Sequence, residues 1–395
     1  MKLFYLLSAV AISNVCWAQD PQFTQVYLSK VYLNPAYTGI NNDLTISNNN
    51  RFQWGKVTPQ VAPFRTHDVS ADLGSPWLGI GTGISFFYDR EGEGNLTTTS
   101  VRVPVSYYLN VGKESFISFG LQGAFGHKSI DWSKLVFSDQ LDPIYGNINP
   151  SAALPWGVES ENYLNFNAGV LYQANYSQFN GSSQKKSNGS RFTIGIAMHN
   201  MSKAKVSLIG NSDSYVPRRY TVHGFTNITL NNKATGDVAV KVPRILSIGG
   251  IWAGHQSLLE SPGSFNTTSF VLSYTINSSM LLGLGYSNKQ FLKRKSSEAF
   301  SVNFIILAQQ TKGFDVVLGT NYDFTLASLG MSNTMGTIEL SIVIKLRGVR
   351  LTPPSATAKM EAKKKIKKGC ENLFDDMYRD QIYRGKVNFG MYYLP

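Results

Sequence analysis

Charged residues are scarce in this sequence. Asp, Glu, Lys and Arg make up 16% of its 395 residues, whereas a typical soluble protein has roughly 25%. Long apolar runs are also missing: beyond the N-terminal segment, no stretch approaches the ~18 apolar residues that mark a transmembrane helix. The low charge argues against an ordinary soluble surface, and the missing runs argue against membrane-spanning helices.

Cysteine, histidine and the linear motifs of catalysis are equally scarce. The chain has two cysteines and five histidines, and no histidine pair has a metal-binding spacing. No G-x-S-x-G nucleophile elbow is present. The glycines at Gly79, Gly81 and Gly83 imitate a nucleotide-binding loop, but no helical pattern follows them, so they fit a strand better. We therefore predict no catalytic residue, no metal and no cofactor.

The N-terminus predicts export. Lys2 is followed by an apolar run from Leu3 to Ile12, and the small residue Ala18 precedes Gln19. This pattern is typical of a secretory signal peptide, here residues 1–18. The alternative is a lipoprotein acylated at Cys16, but residues 13–15 do not fit that signal. Cleavage after Ala18 leaves Cys370 as the one cysteine, so no intramolecular disulfide is expected.

Alternation of apolar and polar residues is what the sequence has in abundance. In the segment near residue 340, Ile338, Leu340 and Ile342 share one face, while Glu339 and Ser341 share the other. Such segments run to about ten residues, longer than the ~5 to 6 of a soluble strand and close to the ~9 to 11 that cross a bilayer. The chain also has 20 Tyr, 23 Phe and 35 Gly, which suits the aromatic girdles of a membrane barrel.

Fourteen such segments lie between residues 43 and 348. The predicted fold class is all-β, a transmembrane antiparallel β-barrel of about 14 strands, with short connectors and both termini on the periplasmic side of the outer membrane. Pro104 removes a ladder donor, so we expect a bulge there. The predicted strands are 43–53, 64–72, 77–88, 97–109, 115–125, 163–176, 191–200, 219–230, 242–253, 267–276, 280–286, 299–308, 313–324 and 336–347.

Residues 19–42 precede the first strand, and we predict a periplasmic or plug segment there. They contain DPQFTQ, starting at Asp20, and YLNPAYTG, starting at Tyr32. This pair of motifs resembles the N-terminal signature of the PorP/SprF family, outer-membrane proteins of the type IX secretion and gliding motility systems of Bacteroidetes. The similarity continues through RFQW at Arg51 and NYDFTL at Asn321, and it extends to about Arg347.

The resemblance implies a non-enzymatic component of type IX secretion or gliding. Its implied partners are a secreted cell-surface adhesin or other cargo, bound through a type IX C-terminal sorting domain, and further components that include periplasmic lipoproteins. Outer-membrane lipid surrounds the barrel, and export makes nucleic acid an unsuitable partner despite the net charge of +12. The alternative function is an outer-membrane diffusion channel or small-molecule transporter. A lipid-active enzyme that assembles Ser and His from neighbouring strands is a third possibility.

Two groups of residues are candidate sites. Inward-facing charges of the last hairpin form a lumen polar cluster, which we interpret as mutual pairing in a plugged interior rather than as a selectivity ring. The two carboxylates of the long connector 126–162 fall short of the ~6 to 8 oxygens of a calcium site, so protein binding is the favoured use. The predicted partner-binding residues are Tyr32, Asn34, Pro35, Tyr37, Trp132, Phe137, Asp139, Gln140 and Asp142, and the lumen cluster is Asp315, Asn321, Asp323, Glu339 and Lys345.

The C-terminal extension, residues 349–395, departs from the family pattern. Six lysines lie in the stretch from Lys359 to Lys368. The residues that follow combine aromatic side chains with charged side chains of both signs. Such a segment is typical of one that becomes ordered on a partner, here a periplasmic protein. Deleting residues 356–395 is expected to leave barrel insertion intact and to remove one co-purifying protein in a mild-detergent pull-down. An unchanged partner list would contradict this prediction.

Overall fold

The computed structural model describes residues 21–351 with gaps. The gaps are 56–63, 76–77, 112–114, 143, 152–159, 177–189, 209–213, 231–243, 256–264, 278–279, 292–293, 311–312, 327–333 and 350. The predicted signal peptide and nearly all of the C-terminal extension, with Cys16 and Cys370, lie outside the described residues. Within the described ranges, no helix is long and apolar enough to cross a membrane.

Fourteen antiparallel strands close into one barrel, which confirms the predicted fold class. Two further strands, β6 and β7, form a small separate hairpin. The strands are β1 (Leu44–Gln53), β2 (Phe64–Ser75), β3 (Ile80–Glu91), β4 (Leu96–Asn110), β5 (Ser115–Ser129), β6 (Leu141–Asp142), β7 (Gly146–Asn147), β8 (Ser160–Tyr176), β9 (Ser190–His199), β10 (Arg219–Leu230), β11 (Arg244–His255), β12 (Phe265–Asn277), β13 (Met280–Phe291), β14 (Arg294–Gln310), β15 (Phe314–Thr325) and β16 (Thr337–Leu346).

Short helical turns complete the secondary structure. A single α-helical turn, α1 (Lys30–Leu33), precedes a 3-10 turn at Pro35–Tyr37. Two more 3-10 turns, Trp132–Lys134 and Ser138–Gln140, lie between β5 and β6.

The barrel is apolar outside and polar inside, the reverse of a soluble barrel. In β16, Ile338, Leu340 and Ile342 are 40–46% exposed, whereas Glu339 and Ser341 are 1% and 3% exposed. Successive side chains of a strand point to opposite faces, so the sequence alternation becomes an apolar outer surface and a polar lumen. An apolar outer band of this kind matches the hydrocarbon core of a membrane.

The two ends of the barrel differ. We call the end at which β1 begins and β16 ends the terminal end, and the opposite one the loop end. At the terminal end the connectors 76–79, 111–114, 278–279 and 311–313 have two to four residues, although 177–189 and 231–243 have thirteen each. The longest connector, 130–159, lies at the loop end, yet 92–95 and 292–293 are short there too. The predicted difference in connector length between the two ends therefore holds for the longest connector, but not for every connector.

The bulge expected at Pro104 is absent. Pairing of β4 with β5 continues in register through Pro104 and Gln122. The ladder between β4 and β3 lapses opposite Gly83 without a register shift. The missing N–H of proline therefore costs a ladder contact on the β3 side only, and the strand stays straight. Register shifts occur instead in the pairings of β12 with β13, β13 with β14 and β14 with β15.

Several strands are longer than predicted. β13 continues to Phe291, β14 begins at Arg294, and β5 continues to Ser129. These extensions are rich in polar residues, so hydrophobic alternation does not mark them. Ladder hydrogen bonds continue the sheet beyond the apolar band, which carries the wall toward the loop end.

Candidate functional site in the lumen and the long loop

The segment from Phe23 to Asn42, here called the plug, lies inside the barrel. All of its residues are buried except Thr24, Lys30 and Asn41, which are half-buried. Thr24 contacts Asp323 and Glu339, which lie near the loop end in β15 and β16. The segment then crosses the lumen to the terminal end, where its chain continues into β1 at Leu44.

A charged group near the loop end holds the start of the plug. Glu339 accepts the backbone N–H of Thr24 at 2.7 and 2.9 Å and that of Gln25 at 2.9 Å. The Thr24 hydroxyl donates to Asp323 at 2.9 Å. Arg51 pairs with Asp323 at 3.1 Å and also contacts Glu339. Two buried carboxylates are thus matched by one guanidinium and by polar hydrogens of the plug, as buried charges require.

A second charged group lies at the terminal end. Arg347 binds Asp315 through two hydrogen bonds of 2.6 and 2.8 Å. Lys345 lies 3.4 Å from Asp43, whose other oxygen accepts the N–H of Gly348 at 3.1 Å. The predicted lumen residues therefore belong to two groups at opposite ends, with Asn321, Asp323 and Glu339 in one and Asp315 and Lys345 in the other. In both groups the charged side chains are paired with opposite charges.

Asn34 shapes the turn in the middle of the plug. Its Oδ1 accepts the N–H of Ala36 at 2.9 Å and thereby caps the 3-10 turn that follows, with Pro35 as the first residue. Its Nδ2 donates to the carbonyls of Val170 and Ile196 at 3.2 and 3.1 Å. One side chain thus orders the turn and binds it to β8 and β9.

Two glycines of the wall make room for this turn. Gly120 in β5 and Gly169 in β8 are directly paired. A Cβ atom on Gly169 would lie 2.0 Å from Oδ1 of Asn34, and one on Gly120 would lie 2.2 Å from the backbone nitrogen of Ala36. These positions therefore need glycine for the close approach of the plug.

Aromatic and cationic side chains surround Tyr32. Its ring stacks on Phe87 at 5.7 Å and meets Phe23 edge-on at 5.2 Å. The guanidinium groups of Arg102 and Arg219 lie 5.2 and 5.0 Å from its ring centre. Cation–π contacts of this kind stabilise both partners when water is excluded.

Apolar contacts close the rest of the circumference. On one side, Tyr27 and Leu28 pack against inward-facing residues of β12 to β16, and on the other, plug residues pack against β3, β4, β5, β8 and β10. The wall residues of these contacts are Val271, Leu281, Ile305, Val317, Val343, Phe87, Tyr108, Phe116, Leu171 and Phe225. The plug therefore touches the wall on all sides of the lumen.

The plug contains four of the residues predicted to bind a partner. Asn34 is fully buried, and Tyr32, Pro35 and Tyr37 are buried as well. In this structure these side chains bind the barrel's own wall and form no accessible surface. Their contacts include His223, whose ring stacks on Tyr37 at 5.4 Å. Neither His223 nor Arg102 was among the predicted site residues. Both have the inward parity of their strands, which indicates a lumen position.

The long connector between β5 and β8 is attached to a neighbouring turn. The N–H of Asp131 donates to the carbonyl of Gly94 at 2.8 Å. The side chain of Leu135 covers Gly94 so closely that a Cβ there would lie 3.0 Å from it. Trp132 and Phe137, two of the predicted partner-binding residues, are half-buried. This base fixes the connector over the turn between β3 and β4.

Asp139, Gln140 and Asp142 build the connector itself. Asp142 accepts the N–H groups of Ile144 and Tyr145 at 2.8 and 2.9 Å, and these two bonds hold the pKa of its carboxyl below the ordinary value. Gln140 accepts the N–H of Phe137 at 2.8 Å, and Asp139 accepts the hydroxyl of Ser151 at 2.9 Å. All three predicted residues therefore order the backbone around the β6–β7 hairpin.

The tip of this hairpin is apolar and exposed. Ile144 is 81% exposed, Tyr145 73% and Ile148 59%. These three residues, here called the loop tip, were not singled out from the sequence, because nothing local shows which loop residues a fold leaves uncovered. Among the described residues there is also no group of three or more His, Cys, Asp or Glu that could hold a metal ion.

A family model described as "Type IX secretion system membrane protein PorP/SprF" matches residues 15–344. The chain belongs to the PorP/SprF family. This membership confirms the resemblance noted in the sequence, and with the closed barrel it makes the protein an outer-membrane β-barrel of the type IX secretion family. Comparison with curated proteins gives no match.

Solved structures similar to this PorP/SprF protein include three outer-membrane barrels. The CymD monoaromatic hydrocarbon channel shows 11% identity over 84% of this chain and 94% of its own, with a TM-score of 0.40. The toluene transporter TodX of Pseudomonas putida shows 8% identity, coverage of 83% and 94%, and a TM-score of 0.39. Omp33 of Acinetobacter baumannii shows 8% identity, coverage of 78% and 99%, and a TM-score of 0.33.

The glycine pair yields the first structural prediction. Gly120→Ala is expected to unseat the plug turn, because the new methyl group would overlap the backbone of residues 35 and 36; overpacking of this kind typically costs about 1 to 3 kcal/mol. Limited trypsin digestion would then cut after Lys30, which lies within the plug. The control is Gly123→Ala in the same strand, where nothing lies within 4 Å of the added Cβ. Equal cleavage of the two variants would contradict the prediction.

The second structural prediction concerns the buried ion pairs of Arg51 with Glu339 and Asp323. Arg51→Met removes the guanidinium that pairs with Glu339 and Asp323, and loss of one partner of a buried ion pair typically costs on the order of 3 to 5 kcal/mol. We expect faster hydrogen exchange at the amides of Thr24 and Gln25 and a higher conductance in planar bilayers. Lys203→Met, at an exposed position of the loop end, serves as the control. Unchanged exchange at both amides in Arg51→Met would show that the charged group does not retain the plug.

Proposed function

We propose that this PorP/SprF protein is a closed outer-membrane anchor that presents its long connector to a secreted cell-surface adhesin and binds the C-terminal sorting domain of that adhesin. The observation that carries the proposal is the exposed apolar loop tip on an ordered base. Family membership supports the secretion context. The proposal includes no enzymatic step.

The orientation is part of the proposal. We place the terminal end in the periplasm and the loop end outside the cell. The short connectors at the terminal end and the long connector at the loop end support this orientation, because bacterial barrels have short periplasmic turns and longer external loops. The basic C-terminal extension would then meet periplasmic components, including lipoproteins.

The loop tip has the chemistry of a protein interface. Ile144 and Tyr145 are adjacent in the turn of the hairpin, and Ile148 follows its second strand; all three apolar side chains are largely exposed. Tyr is enriched in interfaces, where its ring buries area and its hydroxyl bonds at the rim. The hydrogen bonds of Asp142 and Gln140 order the hairpin before binding, which reduces the entropy that a partner's arrival would cost.

The plug argues against the alternative of an open diffusion channel. Its apolar side chains pack against the wall on both sides of the lumen. A channel function would require the plug to leave, and the hydrogen bonds of Thr24 with Glu339 and Asp323 and those of Asn34 oppose that movement. An anchor has no such requirement, because its working surface lies outside the lumen.

The test replaces the two most exposed residues of the loop tip, Ile144 and Tyr145. Ile144→Asp with Tyr145→Asp, introduced into the native chromosome, is expected to reduce surface-attached proteins that carry a type IX sorting domain by tenfold or more, because each buried apolar side chain contributes ~1.5 to 3 kcal/mol. Surface proteomics measures the loss, and cross-linking from residue 145 identifies the attached protein. Asn147→Asp adds one negative charge to the same hairpin, where the double variant adds two, and removes no apolar group, so attachment should persist. Normal attachment in the double variant refutes the proposal.

A further inference from the structure

Two arginines on the outer face of the wall lie directly opposite each other. Arg65 in β2 pairs with Arg90 in β3. Both have the parity of outward-facing residues, since Val69 in β2 and Phe86 in β3 are 38% and 45% exposed. Arg65 is exposed and Arg90 is half-buried.

The protein does not neutralise this pair. Like charges directly opposite on neighbouring strands destabilise a sheet. The guanidinium of Arg90 donates to the side-chain oxygen of Asn95, through Nε at 2.7 Å, but this partner is uncharged. Asp89 lies on the other face of the sheet and accepts from Thr66 at 2.7 Å. Among the described residues, neither guanidinium forms an ion pair.

The strand partners of this pair add no acid. Opposite Arg65 on its other side stands Phe52 of β1, and opposite Arg90 on its other side stands Thr97 of β4. The nearest acids along the chain are Glu91, which has the parity of the inner face, and Glu93 in the turn at 92–95. The residues that stand opposite the two positive charges on the neighbouring strands are therefore uncharged.

The pair lies at the boundary of the apolar band. Phe52 is level with Arg65, and its ring meets that of His67 at 5.7 Å. His67 and Tyr88 lie one outward position nearer the middle of the barrel, with ring centres 5.9 Å apart. Aromatic belts of this kind mark the level of lipid headgroups in membrane barrels. The arginines are therefore at the height at which lipid phosphates lie.

We propose that Arg65 and Arg90 bind a phosphate of a phosphorylated glycolipid of the lipid A class in the outer leaflet, with its acyl chains along Val69, Ile84 and Phe86. Guanidinium groups suit this ligand because they donate parallel hydrogen bonds to phosphate oxygens. A phosphate between the two groups would also remove their mutual repulsion. The choice of an outer-leaflet lipid relies on the orientation proposed above, in which the loop end faces outside.

The site is connected to the long loop through one short turn. Asn95, which holds Arg90, lies next to Gly94, which carries the base of the long connector through the Asp131 bond. A lipid bound at Arg90 would thus steady the turn beneath the loop tip. The bound lipid would fix the height of the tip above the membrane.

Native mass spectrometry of the full-length protein in detergent tests this inference, with bisphosphorylated lipid A as the probe. Arg65→Gln with Arg90→Gln is expected to lower the retained lipid by about tenfold or more, since hydrogen bonds to charged groups are stronger than neutral ones. Lys134→Gln with Lys203→Gln removes two exposed loop charges and should not change retention. Heat-modifiable gel migration verifies that each variant is folded.

Three further probes separate the possible ligands. Lipid A without phosphates should bind wild type and the arginine variant equally weakly; strong binding of this probe to wild type would show that acyl chains alone are recognised. Equal retention of phosphatidylglycerol and lipid A would overturn both the lipid class and its leaflet. Displacement of lipid A by millimolar inorganic phosphate would identify a general anion site instead. The anchoring proposal is tested by a different experiment, the surface attachment of the adhesin in the Ile144→Asp with Tyr145→Asp variant. A negative result with lipid A therefore does not contradict the anchoring proposal.

Discussion

Hydrocarbon offers no hydrogen-bond partner to a backbone N–H or C=O group, and this constraint determines the whole wall. Every strand must be paired on both sides, so the sheet has to close, and β1 pairs with β16 over ten residue pairs from Leu44 with Leu346 to Gln53 with Thr337. Closure creates a lumen that never meets lipid, which permits Asp, Glu, Arg and Asn at inward positions. About eight strands suffice to fill a barrel with its own side chains, so a barrel of fourteen needs other content.

That content is the chain's own N-terminal segment, and wall and plug depend on each other. Burial of Glu339 is costly, and two plug N–H groups and Arg51 offset that cost by satisfying its carboxylate. The plug backbone forms internal hydrogen bonds through successive turns, and it obtains further partners from wall groups such as Ser118, which donates to the Ala36 carbonyl at 2.7 Å. Neither component is a satisfactory structure alone, which explains why polar wall positions and an irregular plug occur in one sequence.

Periodicity predicted the wall because the cause of the period is local. Successive side chains of a strand alternate, so parity along one segment such as Ile338 to Leu346 is enough to identify its lipid face. The plug contacts have no such local signal. Asn34 meets Val170 and Ile196, which are more than 130 positions away in the chain, and the need for Gly169 is visible only once the two are in contact. Exposure of Ile144 and burial of Tyr32 are likewise properties of the assembled fold, so no local pattern in the sequence distinguishes the two.

A filled lumen also changes what the loop end can do. The plug is held near the loop end, where Thr24 bonds to Asp323, and at its other end the chain leads directly into Asp43, which lies beside Lys345. The wall gives the turn at 92–95 a fixed position, and that turn carries both the long connector through Gly94 and the outward Arg90 through Asn95. Hydrogen bonds at this one turn therefore connect the base of the long connector, the outward Arg90 and the wall. Binding at the tip needs no rearrangement of the lumen, because the surface that would meet a partner is already held in place by groups that face away from it.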